Sequence, residues 1–277
     1  MKYAYLHVHT FYSDSTFSPE EVVSCAKEKD LAGIAICDHD STEGIEPCRR
    51  AAEGLGLGII AGVEMTAEKP ATELHILGYF IDCAPAWFQA RLKAIRDSRV
   101  ERVYRMTEKL AAYNIKVDPK KVFALAGKGS VGRLHMAKAL VDAGQVRSIQ
   151  EAFDKYIGFG KPCYVPHARF TPQEAIETIL KVKGVPVLAH PDVSNAAPYI
   201  EELIGYGLRG IEAYHTDHNN RTTKRYLALA EQHGLLVTGG SDCHGLGKGK
   251  VLMGGVKVPY EVVENLRAEA EKIRAGL

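Results

Sequence analysis

At 277 residues the chain can bury a full core, either as one large α/β domain or as one domain with an insertion. Its composition is that of a globular protein, 46% hydrophobic and 25% charged, and no run approaches the roughly 18 apolar residues of a membrane span. The formal charge of +1 hides an asymmetry: residues 84–164 hold 16 Lys/Arg against 7 Asp/Glu, while the remainder is acidic, which points to two structural parts and an anionic partner. A solvated, charged helix surface would give the same count. The six cysteines (25, 37, 48, 83, 163, 243) form no CxxC pair and no disulfide framework, and no signal-peptide pattern precedes the first strand. A reducing cytoplasm is the expected setting.

The first expected strand is Tyr3–Thr10. Alternate side chains of a strand share a face, so His7 and His9 point one way and Leu6 and Val8 the other. Paired imidazoles are poor core filler and good metal ligands. Asp14 follows in the loop. Ser18-Pro19-Glu20-Glu21 opens a helix, with Ser18 as N-cap and Glu21 completing a capping box. A second strand, Ile34–Cys37, runs into Asp38-His39, and the next helix extends to about Gly54. The third strand, Ile59–Val63, ends at Glu64. The fourth, Leu74–Leu77, sets His75 and Leu77 on one face. This alternation predicts βα units and a parallel sheet.

From Pro85 to about Tyr113 the pattern becomes one long helix rich in Arg and Lys. Shorter helical segments follow at Pro119–Ala126, Val131–Ala143 and Ile149–Tyr156. No strand is evident here. Residues 84–164 are therefore expected to form a helical insertion in a barrel built from 1–83 and 165–277. Arg91, Arg96, Arg99, Arg102 and Arg105 are expected on a solvated face of the long helix. The βα pattern resumes with a capping-box start at Thr171-Pro172-Gln173-Glu174. Strand five, Val185–Ala189, ends at His190. Strand six, Gly210–Tyr214, carries Glu212 and ends at His215. A helix from about Arg221 to His233 stops at Gly234. Strand seven, Leu235–Thr238, leads to Asp242-Cys243-His244, and a last amphipathic helix begins near Tyr260.

Each expected strand thus carries or ends in an ionisable residue. In a parallel barrel the C-terminal strand ends converge on one face, where active sites sit. The six histidines and three carboxylates at these ends exceed the needs of one metal and suit two or three divalent ions. Mixed imidazole and carboxylate ligands fit Mn²⁺, Fe²⁺ or Zn²⁺ better than Ca²⁺. Cys37 and Cys243 beside them read as small buried hydrophobes. In the insertion, Arg133 and Ser130 lie in a glycine-flanked stretch ahead of a helix, a natural phosphate site. Lys128, His135 and Arg169 are further candidates for substrate contact, as are His215 and His218 beside the mouth.

His7-Val8-His9-Thr10 with Asp14, Asp38-His39, Gly62-Val63-Glu64, His190-Pro191 and Ser241-Asp242-Cys243-His244 resemble, in order, the motifs of the PHP (polymerase and histidinol phosphatase) family. The resemblance implies an α/β fold, a distorted (β/α)7, TIM-like barrel with a helical insertion that caps the substrate. It also implies a trinuclear metal centre, with manganese as the leading ion. Carried onto this chain, one ion would take His7, His9, Glu64 and Asp242. A second would share Glu64 and add His75 and His190. The third would take Asp14, His39 and His244. The nucleophile would be a metal-bound hydroxide, with no protein nucleophile.

The insertion features Gly132-Arg133-Leu134-His135, Glu151-Ala152-Phe153 and Lys161-Pro162-Cys163-Tyr164-Val165-Pro166 resemble the family's small nucleotide phosphoesterases. That implies a phosphoric ester hydrolase removing the 3′-phosphate of nucleoside 3′,5′-bisphosphates. The alternatives are a 5′-to-3′ exoribonuclease on short RNA, an AMP phosphatase and, more distantly, a non-catalytic metal-binding accessory module. The expected partner is an anionic nucleotide or short RNA, with no membrane and no duplex DNA. An amidohydrolase acting on a neutral substrate would not call for a cationic insertion.

Overall fold

Two sets of apolar side chains, alternating along the strands, decide the architecture. The computed structural model describes residues 1–69, 72–127, 129–166, 170–247 and 249–276. Its strands are β1 (Tyr3–Val8), β2 (Leu31–Ile36), β3 (Gly58–Lys69), β4 (Thr72–Tyr79), β5 (Val185–Leu188), β6 (Gly210–Tyr214), β7 (Leu236–Gly239) and β8 (Val258–Pro259). They form one 8-stranded sheet in the order β7-β6-β5-β4-β3-β2-β1-β8. Just past β7 the chain returns to β1: His9 N donates to Cys243 O at 3.0 Å and Cys243 N to His7 O at 3.3 Å. The sheet is thereby a nearly closed, distorted barrel.

One set of side chains, including Ala4, Leu6, Cys37, Ile60, Leu77, Tyr79 and Val187, fills the barrel interior. Val263, Leu266 and Ala270 of the last helix, α10 (Glu261–Ala275), join this cluster. The opposite set, with Tyr5, Val8, Ile34, Ile36, Val63, Met65 and Ile76, meets the surrounding helices. These are α1 (Pro19–Glu28), α2 (Ile45–Ala51), α7 (Pro172–Lys181), α8 (Ile200–Gly205) and α9 (Asn220–His233). The capping boxes read at Ser18/Glu21 and Thr171/Glu174 are both formed. Among the described residues no helix is long and apolar enough to cross a membrane.

Three expectations need correction. The sheet is not uniformly parallel: β4 runs antiparallel to both β3 and β5. Only two residues separate β3 from β4, and a parallel crossover needs a dozen or more. Reversal places the N-terminal half of β4, with Glu73 and His75, at the barrel mouth. In β1, Leu6 and Val8 do not share a face. Leu6 packs in the interior and Val8 in the outer layer, because the ladder to β2 slips register between Tyr5 and Val8.

The third correction concerns the insertion helices: α3 (Ala86–Ala111), α4 (Pro119–Ala126), α5 (Arg133–Asp142) and α6 (Ile149–Ala152), the last continuing as a π-helical turn over Phe153–Ile157. Val103, Met106 and Leu110 of α3 form a separate apolar cluster with Val122, Met136, Leu140, Ile157 and Val165, whereas Phe88 and Leu92 pack on the barrel's outer layer. Because α3 runs between these two cores, its arginines are not one solvated face. Arg105 is exposed, but Arg99 and Arg102 are each only 5% exposed. Arg99 pairs with buried Asp40 and donates to Thr66 Oγ1 at 2.8 Å. Arg96 donates to Asp40 O at 2.8 Å, and Arg91 to Glu174 at 3.2 Å.

The closure between β7 and β1 depends on Gly240. A Cβ there would lie 2.5 Å from His7 Cβ and 2.8 Å from His7 N. Gly240→Ala should therefore lower the unfolding free energy by about 1–3 kcal/mol, the usual cost of overpacking. A urea melt checks this, and an unmoved midpoint would show that the closure has slack.

Candidate metal centre

Inward-facing residues at the mouth end of the strands converge on Glu64. Glu64 sits mid-strand in β3, opposite in parity to the outward Val63 and Met65, and is fully buried. Its two oxygens face five imidazoles. Oε2 lies 3.3 Å from His7 Nε2, 3.2 Å from His9 Nε2 and 3.1 Å from His39 Nδ1. Oε1 lies 2.8 Å from His75 Nδ1 and 3.0 Å from His190 Nε2. Asp242 Oδ1 closes on His9 Nε2 at 2.8 Å and on His7 Nε2 at 3.4 Å. Asp14 Oδ1 lies 3.0 Å from His244 Nε2, and Asp14 Oδ2 is 3.9 Å from His39 Nε2.

Three groups offer ligand atoms that all lie within 4.8 Å of one another: His7, His9, Glu64 and Asp242; His9, Asp14, His39 and His244; and His39, Glu64 and His75. The first is the expected set. The second is the expected Asp14–His39–His244 set with His9 added. The third brings His39 to Glu64 and His75, while His190 reaches the same Glu64 oxygen as His75. His7 Nε2, His9 Nε2, His39 Nδ1, Asp14 Oδ1 and Glu64 Oε2 are buried without a well-directed hydrogen bond. Buried polar atoms are ordinarily satisfied. An array of lone-pair donors left so, all imidazole nitrogen or carboxylate oxygen, fits divalent cations.

Electrostatics say the same. Burial pushes the His7 pKa down, but Glu212, Glu64 and Asp242 outweigh it and hold that imidazole well above its ordinary value. His9, equally buried, is raised to about 10 by Asp242 and Glu64, and His75 to about 9 by Glu64 and Glu73. Burial dominates at His39, which is held well below the ordinary value. Burial would raise Glu64 and Asp14, yet the surrounding imidazoles keep both carboxyls well below the usual range. Asp242 (φ 50°) and His190 (φ 24°) hold positive φ, a conformation that costs residues with side chains of order 1–3 kcal/mol.

Further carboxylates hold the ligands in place. Glu212, read from the sequence only as a strand residue without a role, is fully buried. It accepts from His7 Nδ1 at 3.1 Å and from His190 N at 2.8 Å. Such a carboxylate fixes a ligand imidazole's tautomer and orientation. Burial opposes its charge, but His7 lowers its pKa to about 2. Asp38 accepts from Thr10 N at 2.7 Å, Thr10 Oγ1 at 2.7 Å and Ser13 Oγ at 2.6 Å, fixing the loop that carries Asp14. Ser13 Oγ also lies 3.3 Å from His9 Nδ1, but its proton goes to Asp38, so it is a strut of this loop. Cys37 and Cys243 are buried in the apolar clusters.

Above this floor opens a cavity of about 760 Å³. The barrel contributes Thr66, Glu73, His215 and Asp217 to its walls, α3 contributes Arg99 and Arg102, and Gly132, Arg133, Leu134, Ile149 and Phe153 line it from the rest of the insertion. Of the expected substrate contacts, Arg133 and His215 line it. His135 faces a smaller neighbouring cavity of about 310 Å³ shared with Asp14 and Lys138, and burial lowers its pKa to about 4. Ser130 and His218 are buried and line neither cavity. Lys128 and Arg169 lie outside the described residues. Arg102 and Glu73 were missed: Arg102 shares the covered stripe of α3 with Leu92, Met106 and Leu110 but its charge reads as solvated, and Glu73 betrays itself only by sharing strand parity with His75.

Comparison with known proteins gives one consistent picture. The model of the PHP domain matches residues 5–159. A 3′,5′-nucleoside bisphosphate phosphatase from Chromobacterium violaceum is 33% identical over 250 residues, 88% of each chain. The 5′-3′ exoribonuclease Rnm of Escherichia coli is 33% identical over 246 residues, 86% of this chain and 84% of its own. A solved structure from Bifidobacterium adolescentis, described as a candidate metal-dependent phosphoesterase, superposes with a TM-score of 0.87 at 30% identity over 96% of both chains.

Two predictions follow from this geometry. With pKa values near 10 and 9, His9 and His75 carry protons at neutral pH in the metal-free protein. A metal takes only the deprotonated ring, so loading at about pH 7.5 should release protons and affinity should rise with pH toward about 10. Calorimetry in buffers of differing ionisation enthalpy reads the release, and heats independent of buffer would contradict it. Glu212→Gln, which withdraws the charge behind His7, should weaken divalent-ion affinity about 10–100-fold in a chelator competition. An unchanged affinity would show that His7 is held without Glu212.

Proposed function

Since the chain belongs to the PHP family, we propose that it is a metal-dependent phosphoesterase releasing the 3′-phosphate from nucleoside 3′,5′-bisphosphates. The observation that carries this reading is that one cavity has a ligand-dense floor and an arginine wall. The floor takes the reacting phosphate and the wall takes the remote one. A relative named as a bisphosphate phosphatase, matched over 88% of both chains, supports the same substrate.

In this reading three divalent ions, manganese first with iron(II) or zinc as alternatives, would be held by three sets of side chains. These are His7, His9, Glu64 and Asp242; Glu64, His75 and His190; and Asp14, His39 and His244. When bound, such ions supply Lewis acidity that neutralises charge growing on the phosphoryl oxygens and lowers the pKa of water. The chain's own residues do the rest. Glu212 and Asp38 lock the imidazoles and the Asp14 loop, so little reorganisation is needed as charge develops. Arg133 at the head of α5, with Arg102 beside it, receives the second phosphate. Binding energy gained there, remote from the reacting bond, contributes to rate. Residues 84–164 act as the substrate-binding cap on a barrel formed by 1–83 and 165–277. His215, in the cavity wall beside His190, is placed to face the substrate; burial lowers its pKa to about 4, so it would act as a neutral imidazole.

Phosphate release should be measured on adenosine 3′,5′-bisphosphate, AMP, histidinol phosphate, an aryl phosphate and short 5′-phosphorylated RNA. Activity should vanish with chelator, return with Mn²⁺, and be highest on the bisphosphate. Arg133→Ala should cut kcat/KM on the bisphosphate by at least about tenfold more than on the aryl phosphate, the worth of one charge-assisted contact. Equal losses on both would remove Arg133 from the second-phosphate site, and preference for RNA ends would replace the bisphosphate as substrate.

A further inference from the structure

Glu73 is the wrong charge for its place. It lines the main cavity, its side chain is 8% exposed, and it belongs to none of the three ligand groups. A cavity that receives a polyanion gains nothing from a buried carboxylate in its wall, since like charge close to the ligand opposes binding. What the carboxylate touches gives the reason. Its Oε1 accepts from Arg133 Nη2 at 2.5 Å and lies 3.4 Å from His75 Nε2. Its Oε2 accepts from Arg102 Nη2 at 3.3 Å. One side chain therefore joins an imidazole of the metal centre to two guanidiniums of the insertion.

The supports of that junction are rigid. Glu73 and His75 stand two residues apart on the inner face of β4, so their spacing is fixed by a strand. Arg102 is also held by donation from its Nε to Val165 O at 2.6 Å. The Tyr164 ring lies 5.2 Å from the Arg102 guanidinium and 5.5 Å from that of Arg133, and Phe153 lies 5.6 Å from Arg133 on the cavity wall. Tyr164 in turn donates to Glu68 on β3 at 2.8 Å. Among the described residues Arg102 and Arg133 both face this carboxylate, so an anion entering here meets guanidinium donors beside it.

We propose that Glu73 is a positioning residue that determines specificity: it fixes Arg133 at a set span from His75, so that the cavity favours substrates whose two phosphates match that span. This rests on the bisphosphate reading above. Geometry in place of added attraction is the source of selectivity, because misplacement of a binding group by about 1 Å can cost as much as 10²-fold in rate.

The test compares two variants on adenosine 3′,5′-bisphosphate and an aryl phosphate, with metal content and melting temperature measured alongside. Glu73→Gln keeps the shape and removes the charge. Glu73→Asp keeps the charge and shortens the reach. Positioning requires both, so each variant should lower the ratio of kcat/KM for bisphosphate over aryl phosphate by about tenfold, within the coupling range of contacting residues. In an Arg133→Ala background, Glu73→Gln should lower the ratio no further, because its effect runs through that guanidinium. A ratio that is unchanged or rises in Glu73→Gln would overturn the inference, as would a wild-type ratio in Glu73→Asp. So would a loss of metal that lowers both activities in parallel, which would reduce Glu73 to a support for His75. A wild-type protein with no preference for the bisphosphate would overturn this inference together with the reading beneath it.

Discussion

The structure depends on one buried carboxylate. Glu64 has no exposed surface, and an uncompensated charge at such a depth costs several kcal/mol even after relaxation. The chain answers with five imidazoles, three on one oxygen and two on the other. Without metal, the balance is made by protons: the carboxylates hold His9 and His75 in the charged form. A divalent ion would compete with those protons for the same nitrogens. Protonated imidazoles facing these carboxylates make a site this dense compatible with folding before any ion is bound. Glu212 and Asp38 extend the arrangement outward by tying the His7 imidazole and the Asp14 loop to neighbouring backbone and hydroxyls.

The reversed strand β4 makes a second constraint useful. Strands parallel to their neighbours bring only their C-terminal ends to the mouth. Running the other way, β4 brings its N-terminal half there, and its inner face presents Glu73 and His75 in succession above Leu77 and Tyr79. One strand thus supplies an imidazole that faces Glu64 and the carboxylate that meets the insertion. The two functions share a rigid backbone, which a ligand on one loop and an anchor on another would not.

Much of this was legible in the sequence, for identifiable reasons. Capping boxes at Ser18 and Thr171 are local, so they were read correctly along with the helices they open. His7, His9, Asp242 and His244 were legible because positions at or just past strand ends imply convergence whatever the sheet order; Glu64 was singled out as the end of its strand, although β3 runs on to Lys69 and its inward parity is what brings it to the others. The direction of β4 was harder to see, since periodicity is the same in either sense and only the short link to β3 speaks against a crossover. The slip in β1 was hidden because a register shift leaves no trace in alternation. Arg99 and Arg102 were misjudged on their charge: at about 100° per residue both fall on the stripe of α3 that carries Phe88, Leu92, Val103, Met106 and Leu110, so the spacing put them on the covered face.

The charge asymmetry acquires a different meaning once the partners are known. From the sequence, a basic insertion on an acidic body suggested attraction of an anion. In the structure, arginines of 84–164 cross to barrel carboxylates one by one: Arg91 to Glu174, Arg96 to Glu43, Arg99 to Asp40, and Arg102 and Arg133 to Glu73. Five of the segment's seven arginines are therefore complementary contacts that seat it on the barrel, and pairs at contact distance contribute little field at long range. Among the described residues, attraction of an anion at this part of the mouth falls to Arg102 and Arg133, which face the Glu73 carboxylate. A uniform basic surface would draw any polyanion. Two guanidiniums held at a fixed span from a metal-competent floor select by shape, and they do so only because neighbouring cations are already paired.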